Sequence, residues 1–153
     1  MDIELNNRTG DLSLNGNVIN LKSSLEKLPD FFAIGNEIQT QVPGGKVTCV
    51  FASTSFEDEL LSTKVDLRFE AGVLVSIFIA LTDKNENYDT SESFYSSAPE
   101  REALHLTWLK GKLGEKQERY TKYHWGAAGV AQDRSSDVHI FIHNRNNSWA
   151  VTT

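Results

Sequence analysis

Apolar and polar residues alternate through much of this chain, and that two-residue period is typical of half-buried strands. The clearest example covers residues 61–81, where two alternating runs lie on either side of Ala71-Gly72. Such a short turn between alternating runs predicts a β-hairpin. The second run, residues 73–81, is densely apolar, so it is predicted to be a central strand that is covered on both faces.

Other strand patterns lie on both sides of this hairpin. Near the N-terminus, Asn15-Gly16 tolerates the positive φ of a tight turn and predicts a hairpin between residues 12–14 and 18–21. The remaining strands are predicted at residues 34–42, at residues 46–56, through Tyr120 to Trp125, over Val138 to Ile142 after a turn region, and as an edge strand at Trp149 to Val151.

Two segments carry helical signals. Ser23 or Ser24 is placed to cap a short helix that the next proline ends, because the residue before a proline disfavours helical dihedral angles. A longer helix is predicted over residues 97–114, where Ser97 and Glu100 have the spacing of a capping box. A glycine follows its last apolar position, as is common at helix C-termini.

The order of these elements predicts an α+β protein. Short loops join the strands, so we expect a single, mainly antiparallel sheet of about 6–8 strands with two helices. The chain has 153 residues and three prolines, and no linker separates regions of different composition. Residues 1–153 are therefore predicted to form one domain.

Composition and charge exclude several functional classes. The net charge is −6 and no cluster of basic residues is present, so nucleic-acid binding is not expected. The longest apolar run is much shorter than the roughly 20 residues of a membrane helix, and the N-terminus lacks the apolar stretch of a secretory signal. Cys49 is the only cysteine, which excludes an internal disulfide. These features favour a cytoplasmic protein that does not bind membranes.

No catalytic or metal-binding motif stands out. His139 and His143 share a face of a predicted strand, but a rise of 3.3 Å per residue separates them by about 13 Å, too far to bind one metal ion. No nucleophile elbow or phosphate-binding glycine loop occurs, and Cys49 lies within an apolar strand. We therefore predict no enzyme, no catalytic residues, no metal site and no cofactor. The sequence leaves open whether neighbouring antiparallel strands bring two carboxylates together as an acid–base pair.

One segment has the composition of a recognition surface. Residues 82–97 interleave acids with aromatic side chains, which can anchor a basic protein partner while the acids accelerate association. The alternative is a solvated connection whose aromatic side chains fold back onto the sheet. The residues predicted to contact a partner are Asp83, Glu86, Tyr88, Asp89, Glu92 and Tyr95.

The chain also resembles a group of small uncharacterised bacterial proteins. The likeness runs through the opening hairpin, the hairpin at residues 61–81 and the C-terminal half. In that half the matching positions are Glu100, Trp108-Leu109, Leu113-Gly114, Trp125-Gly126, Asp133-Arg134, Ser135 or Ser136, and Val138 to Ile142. The chain departs from the group at His143-Asn144, where an aromatic residue is usual. Some similar small proteins are toxin-immunity proteins, so the resemblance implies that role here.

Three hypotheses follow. The first is a non-enzymatic binding module, an immunity protein that neutralises a cognate basic toxin domain such as a nuclease. The second is a small enzyme or ligand carrier with a sheet-lined pocket that uses His124 or His139 with a carboxylate. The third is a homodimer formed through an uncovered sheet face or through the edge strand near Trp149.

Overall fold

The computed structural model of the chain describes residues 1–86, 88 and 90–147. Strands form most of the described part. They are β1 (Ile3–Leu5), β2 (Leu12–Leu14), β3 (Asn17–Ile19), β4 (Ala33–Ile34), β5 (Ile38–Val42), β6 (Gly45–Glu57), β7 (Leu61–Glu70), β8 (Val73–Asp83), β9 (Tyr120–Tyr123), β10 (Gly126–Gln132) and β11 (Val138–Asn144). The α-helices are α1 (Ser91–Ser96) and α2 (Ala98–Leu113).

The main sheet has the strand order β4-β6-β7-β8-β11-β10-β9, with β5 also paired to β6. All of its pairs are antiparallel. Strands β1, β2 and β3 form a separate three-stranded sheet. The predicted α+β class with a mainly antiparallel sheet is confirmed. The predicted edge strand at Trp149 to Val151 lies outside the described residues. None of the described helices is long and apolar enough to cross a membrane.

One face of the main sheet, the closed face, carries the core. Leu67, Ile79 and Ile140 alternate inward from three neighbouring strands, and each is fully buried. Helix α2 packs on this face through Leu109 and Leu113, which lie one helical turn apart on its apolar side. The small sheet covers the rest with side chains that join the same cluster, namely Ile3, Leu5, Leu12, Leu14 and Ile19.

Both predicted hairpin turns are confirmed. Asn15 and Gly16 have φ values of 49° and 82°, and Ala71 and Gly72 have values of 51° and 84°. Two consecutive residues with positive φ match the right-handed twist of the flanking strands, so each turn closes its hairpin tightly.

The segment between Trp125 and Val138 was predicted to be a turn region, and this prediction is wrong in part. Gly126–Gln132 form a strand, β10, which lies between β9 and β11 in the sheet. This run of small residues has little intrinsic preference for a strand. The packing explains the composition: a Cβ atom at Gly129 would lie 1.9 Å from the carbonyl oxygen of Arg119. Only a residue without a side chain allows that approach.

The first predicted helix is a single 3₁₀ turn, Leu25–Lys27, and Ser24 makes no capping hydrogen bond there. In its place, the second α-helix of the described chain is α1, which lies within the acidic–aromatic segment. A capping box between Thr90 and Ser93 stabilises its first turn.

The predicted capping box at Ser97 and Glu100 is wrong. Ser97 ends α1 as well as preceding α2, so its backbone is already helical, with φ of −86° and ψ of 0°. An N-cap side chain needs an extended backbone to reach the free N–H groups. Ser97 Oγ instead donates to the carbonyl of Phe94 and accepts from Arg101 Nε.

Strand β8 is central, as predicted, but it is not covered on both faces. Its closed-face side chains are buried, whereas Phe78 and Ala80 on the opposite face are only half-buried. We call this second surface of the main sheet the open face.

Candidate functional site

Strand register places a mixed set of charged and aromatic side chains on the open face. Arg68 pairs with Phe51 on one side and with Ser76 on the other, and the next row contains Ser53, Asp66, Phe78 and Phe141. Because side chains alternate along each strand, every second residue of β6, β7, β8 and β11 points to this surface. The histidines on it are His139 and His143.

A cavity of about 570 Å³ opens on this face, a volume typical of small-molecule sites. Its floor comes from the sheet and its opposite wall from α1 and the segment before it. The floor residues include Lys64, Asp66, Arg68, Phe78, Ala80 and His139, and the wall residues include Tyr88, Phe94 and Arg101.

The charged groups of the floor lie on β7. Asp66 accepts a 2.5 Å hydrogen bond from Ser53 Oγ and has Lys64 Nζ at 3.7 Å. Arg68 Nη2 lies 3.1 Å from Glu70 Oε1, and the guanidinium stands over the Phe51 ring. Arg68 Nε is buried without a hydrogen-bond acceptor in the described part of the chain. The floor therefore holds two cations, and the carboxylate partner of Lys64 is farther away than that of Arg68.

His139 borders the cavity, and its ring makes no hydrogen bond to any described residue. The ring packs edge-on against Phe78, with centroids 5.5 Å apart. Burial lowers the pKa of His139, while the carboxylates of Asp133 and Asp137 act in the opposite direction. At neutral pH the imidazole therefore offers one unused N–H donor and one unused acceptor to the cavity.

His105, at the inner end of the cavity, has the opposite environment. Its Nε2 accepts a 3.0 Å hydrogen bond from the Leu81 N–H, so its Nδ1 carries the proton and donates to the Arg101 carbonyl at 2.6 Å. Burial lowers the pKa of His105. Both nitrogens are used, and this histidine joins α2 to β8 rather than facing a ligand.

His143 belongs to a compact polar cluster beside the cavity. Asn147 Nδ2 donates to Ser76 Oγ at 2.7 Å, which leaves the serine proton for His143 Nδ1, also 2.7 Å away. Burial, together with the positive charges of His139 and Arg68, lowers the pKa of His143 to about 4. Ser76 is only 1% exposed, so its hydroxyl is closed to a substrate despite its histidine neighbour.

His139 and His143 share a face of β11, as predicted. Their spacing of four residues along the strand keeps them apart, and Phe78 of the neighbouring strand packs edge-on against both rings. Within the described residues, no three His, Cys, Asp or Glu side chains are grouped so that they could hold a metal ion.

Arg101 fixes the wall of the cavity. Its Nη1 donates to the Ser136 carbonyl and its Nη2 to the Phe94 carbonyl, both at 2.7 Å. The guanidinium also stacks 4.0 Å from the Phe94 ring centroid and 5.7 Å from that of Tyr88. One side chain thus ties α1, α2 and the β10–β11 turn together.

The predicted partner-binding residues divide into two groups. Asp83 and Tyr88 line the cavity, and Tyr88 packs edge-on against Phe94. Glu86, Glu92 and Tyr95 are exposed to solvent outside it. Asp89 lies outside the described residues.

Sequence reasoning missed the residues that the main sheet contributes, above all Lys64 and Arg68. Their only signal was a row of alternating polar positions on β7, which a solvated strand would also show. The bonds of Arg101 also had no signal, because two of its acceptors are backbone carbonyls outside its own helix.

Comparison with family models, with curated proteins and with solved structures gave no match for this chain.

Proposed function

We propose that this protein is a non-enzymatic, cytoplasmic binding module that neutralises a cognate basic toxin domain. The contact surface in this proposal is the acidic rim, defined as Asp83, Glu86, Tyr88, Glu92 and Tyr95. The resemblance of the chain to small bacterial proteins, some of them toxin-immunity proteins, supports the partner class.

The observation that carries the proposal is the arrangement of side chains on α1. Tyr95 is 56% exposed, so its ring is accessible to a partner, and tyrosine is enriched among the residues that anchor protein interfaces. Glu92 is exposed in the first turn of the same helix. The rim therefore combines a tyrosine anchor with nearby negative charge.

The carboxylates of the rim are available for a partner. Asp83, Glu86 and Glu92 have no ion pair within the residues that the structure describes. With a net charge of −6, the chain attracts a basic surface, and unpaired rim acids raise the association rate most at low salt.

The rim is held on a rigid support. The Thr90–Ser93 capping box stabilises the start of α1, and Arg101 holds its end through the Phe94 carbonyl. A preordered surface loses less conformational entropy when it binds. The inaccessible hydroxyl of Ser76 supports a role in binding rather than in catalysis.

On this proposal a neighbouring gene encodes the toxin domain, and the test is co-expression of the protein with that domain, followed by calorimetry on the purified pair. We expect rescue of growth and a tight complex. Tyr95→Ala should weaken binding about tenfold or more, and Glu92→Gln should lower the association rate several-fold at low salt.

Tyr120→Ala and Glu115→Gln are matched controls, because both residues are exposed and lie outside the rim. Both variants should bind like the original protein. A toxin that still kills without forming a complex would refute the proposal, and so would equal losses for Tyr95→Ala and Tyr120→Ala.

A further inference from the structure

We propose that the cavity of the open face binds a small amphipathic molecule with an aromatic body and an anionic end. This site goes beyond the proposed toxin surface. Its volume of about 570 Å³ is within the range of sites that enclose small organic ligands. No residue of α1 that we assign to the toxin contact, Glu92 or Tyr95, lines it.

The walls favour an aromatic body. Phe78 lies on the floor, Phe51 lies at one side, and the Tyr88–Phe94 pair forms the opposite wall. Rings in these positions can pack against a flat ligand face-on or edge-on, an arrangement that adds to the gain from burying apolar area. The small side chain of Ala80 leaves space for a ligand between these aromatic rings.

The unused hydrogen-bond donors favour an anionic end. Lys64 has one carboxylate neighbour at 3.7 Å, and its side chain is 58% exposed, so most of its donor capacity is free. His139 adds an unused N–H. Asp66, the acid nearest Lys64, already accepts a short bond from Ser53.

The other two acids in the cavity lining are also engaged. Asp83 accepts a hydrogen bond from the Asn85 N–H at 2.9 Å, and Asp137 accepts one from Ser135 Oγ at 3.2 Å. Both lie at the end where the wall meets the sheet, whereas Lys64 and Arg68 lie on β7. The acid between them on β7 is Asp66, which already accepts from Ser53, so an anionic group beside Lys64 meets a cation with free donors.

The structure thus assigns an orientation to the ligand. Its ring lies between Phe78 and the Tyr88–Phe94 wall, and its acidic group points to Lys64. Carboxylates and sulfonates share this recognition chemistry, since both present several acceptor oxygens with one negative charge.

The test uses two fluorescent probes that differ only in charge. Anilinonaphthalene sulfonate has an aromatic body with one anionic group, and N-phenylnaphthylamine is its neutral counterpart. Titration of the full chain at neutral pH and low salt should give saturable binding of the sulfonate at one site. The sulfonate should bind about tenfold more tightly than the neutral probe.

Two substitutions separate the parts of the site. Ala80→Phe fills the floor and should weaken both probes about tenfold or more, while the unfolding midpoint stays unchanged. Lys64→Gln should weaken only the sulfonate, by about fivefold. Lys122→Gln is the matched control, since Lys122 is an exposed lysine on the same face of the sheet outside the cavity lining.

His124→Ala and His139→Ala form a second matched pair, because His124 is exposed and does not line the cavity. Only His139→Ala should weaken the sulfonate. The proposal is overturned if no saturable binding occurs, if folded Ala80→Phe binds as tightly as the original chain, or if Lys64→Gln and Lys122→Gln behave alike. These results are independent of the toxin assay, because Ala80 and Lys64 lie outside the acidic rim.

Discussion

The two faces of the main sheet are built from the same strands but have different chemistry. On β7, Leu67 is fully buried on the closed face, and the next residue, Arg68, keeps a quarter of its side chain exposed on the open face. On β8, the same contrast separates Ile79 from Ala80. Adjacent residues of one strand thus lie on opposite faces, one in the core and the next in the cavity. Stability and binding should therefore respond to different, adjacent positions.

Two histidines that line the cavity differ in hydrogen bonding. His105, at its inner end, has both nitrogens bonded within the protein, whereas neither nitrogen of His139 is bonded to a described residue. A buried polar group without partners normally costs free energy, so half-exposure to a cavity explains how His139 is tolerated. His139 is therefore the histidine that we propose faces a ligand.

The largest effect should come from the closed face. Leu67→Ala removes a fully buried side chain and should lower the free energy of unfolding by about 3–4 kcal/mol. Lys64→Ala, on the same strand but exposed on the open face, should change it by less than about 0.5 kcal/mol. Urea unfolding followed by fluorescence measures both. Similar losses of unfolding free energy in the two variants would contradict the proposed difference between the faces.

A smaller effect should come from the residue that joins the cavity wall to both helices. Arg101→Ala leaves two carbonyl acceptors without their charged donor and should cost about 2–3 kcal/mol. Amide hydrogen exchange should also become faster in Ser91–Ser96. Arg119→Ala is the control: within the described residues this exposed side chain pairs with Glu102 alone, and its loss should cost less than about 1 kcal/mol. Unchanged exchange in α1 would contradict the role of Arg101.

The smallest of the three effects depends on pH. The pKa of His143 is about 4 in the folded chain and about 6.5 when unfolded, so the unfolded chain binds the proton first. The stability from neutral His143 is complete above about pH 7 and is lost as the pH falls from about 6.5 toward 4. With solvent screening of this half-buried group, the loss by pH 5 should be about 1–2 kcal/mol.

His143→Gln does not titrate, so its free energy of unfolding should fall less between pH 7.5 and pH 5 than that of the original chain. His124→Ala, which changes an exposed histidine, should keep the full pH dependence. Parallel curves for the original chain and His143→Gln would show that His143 is not the group responsible.

The sequence predicted elements wherever local rules determine the structure. The hairpin at Ala71-Gly72 was predictable because a short turn and a period of two specify both its position and its register. Strand β10 was not predictable, because its small residues have little preference for a strand. Tertiary contacts, such as the close approach of the Arg119 backbone to Gly129, explain why small residues occur there. The helix α2 does begin after Ser97 as predicted, but its capping box was wrong for a similar reason, since the preceding α1 changes the backbone of Ser97.

The candidate site was predicted only where it lies within one segment. The acidic–aromatic composition identified Asp83 and Tyr88, which do border the cavity. Lys64 and Ala80 face each other across the β7–β8 hairpin, but His139 joins them only through the pairing of β8 with β11, which is distant in sequence. Alternation predicts which residues share a face of one strand, but not which face the helix α2 covers.

The most direct test of the two-face account compares neighbours on β8. Ile79→Ala and Ala80→Phe are measured for unfolding free energy and for affinity of the anilinonaphthalene sulfonate probe, each on fully folded protein. The account predicts that Ile79→Ala loses about 3–4 kcal/mol of stability and keeps its probe affinity. It predicts that Ala80→Phe keeps its stability and loses about tenfold or more in affinity. Coupled losses of stability and affinity in both variants would contradict it.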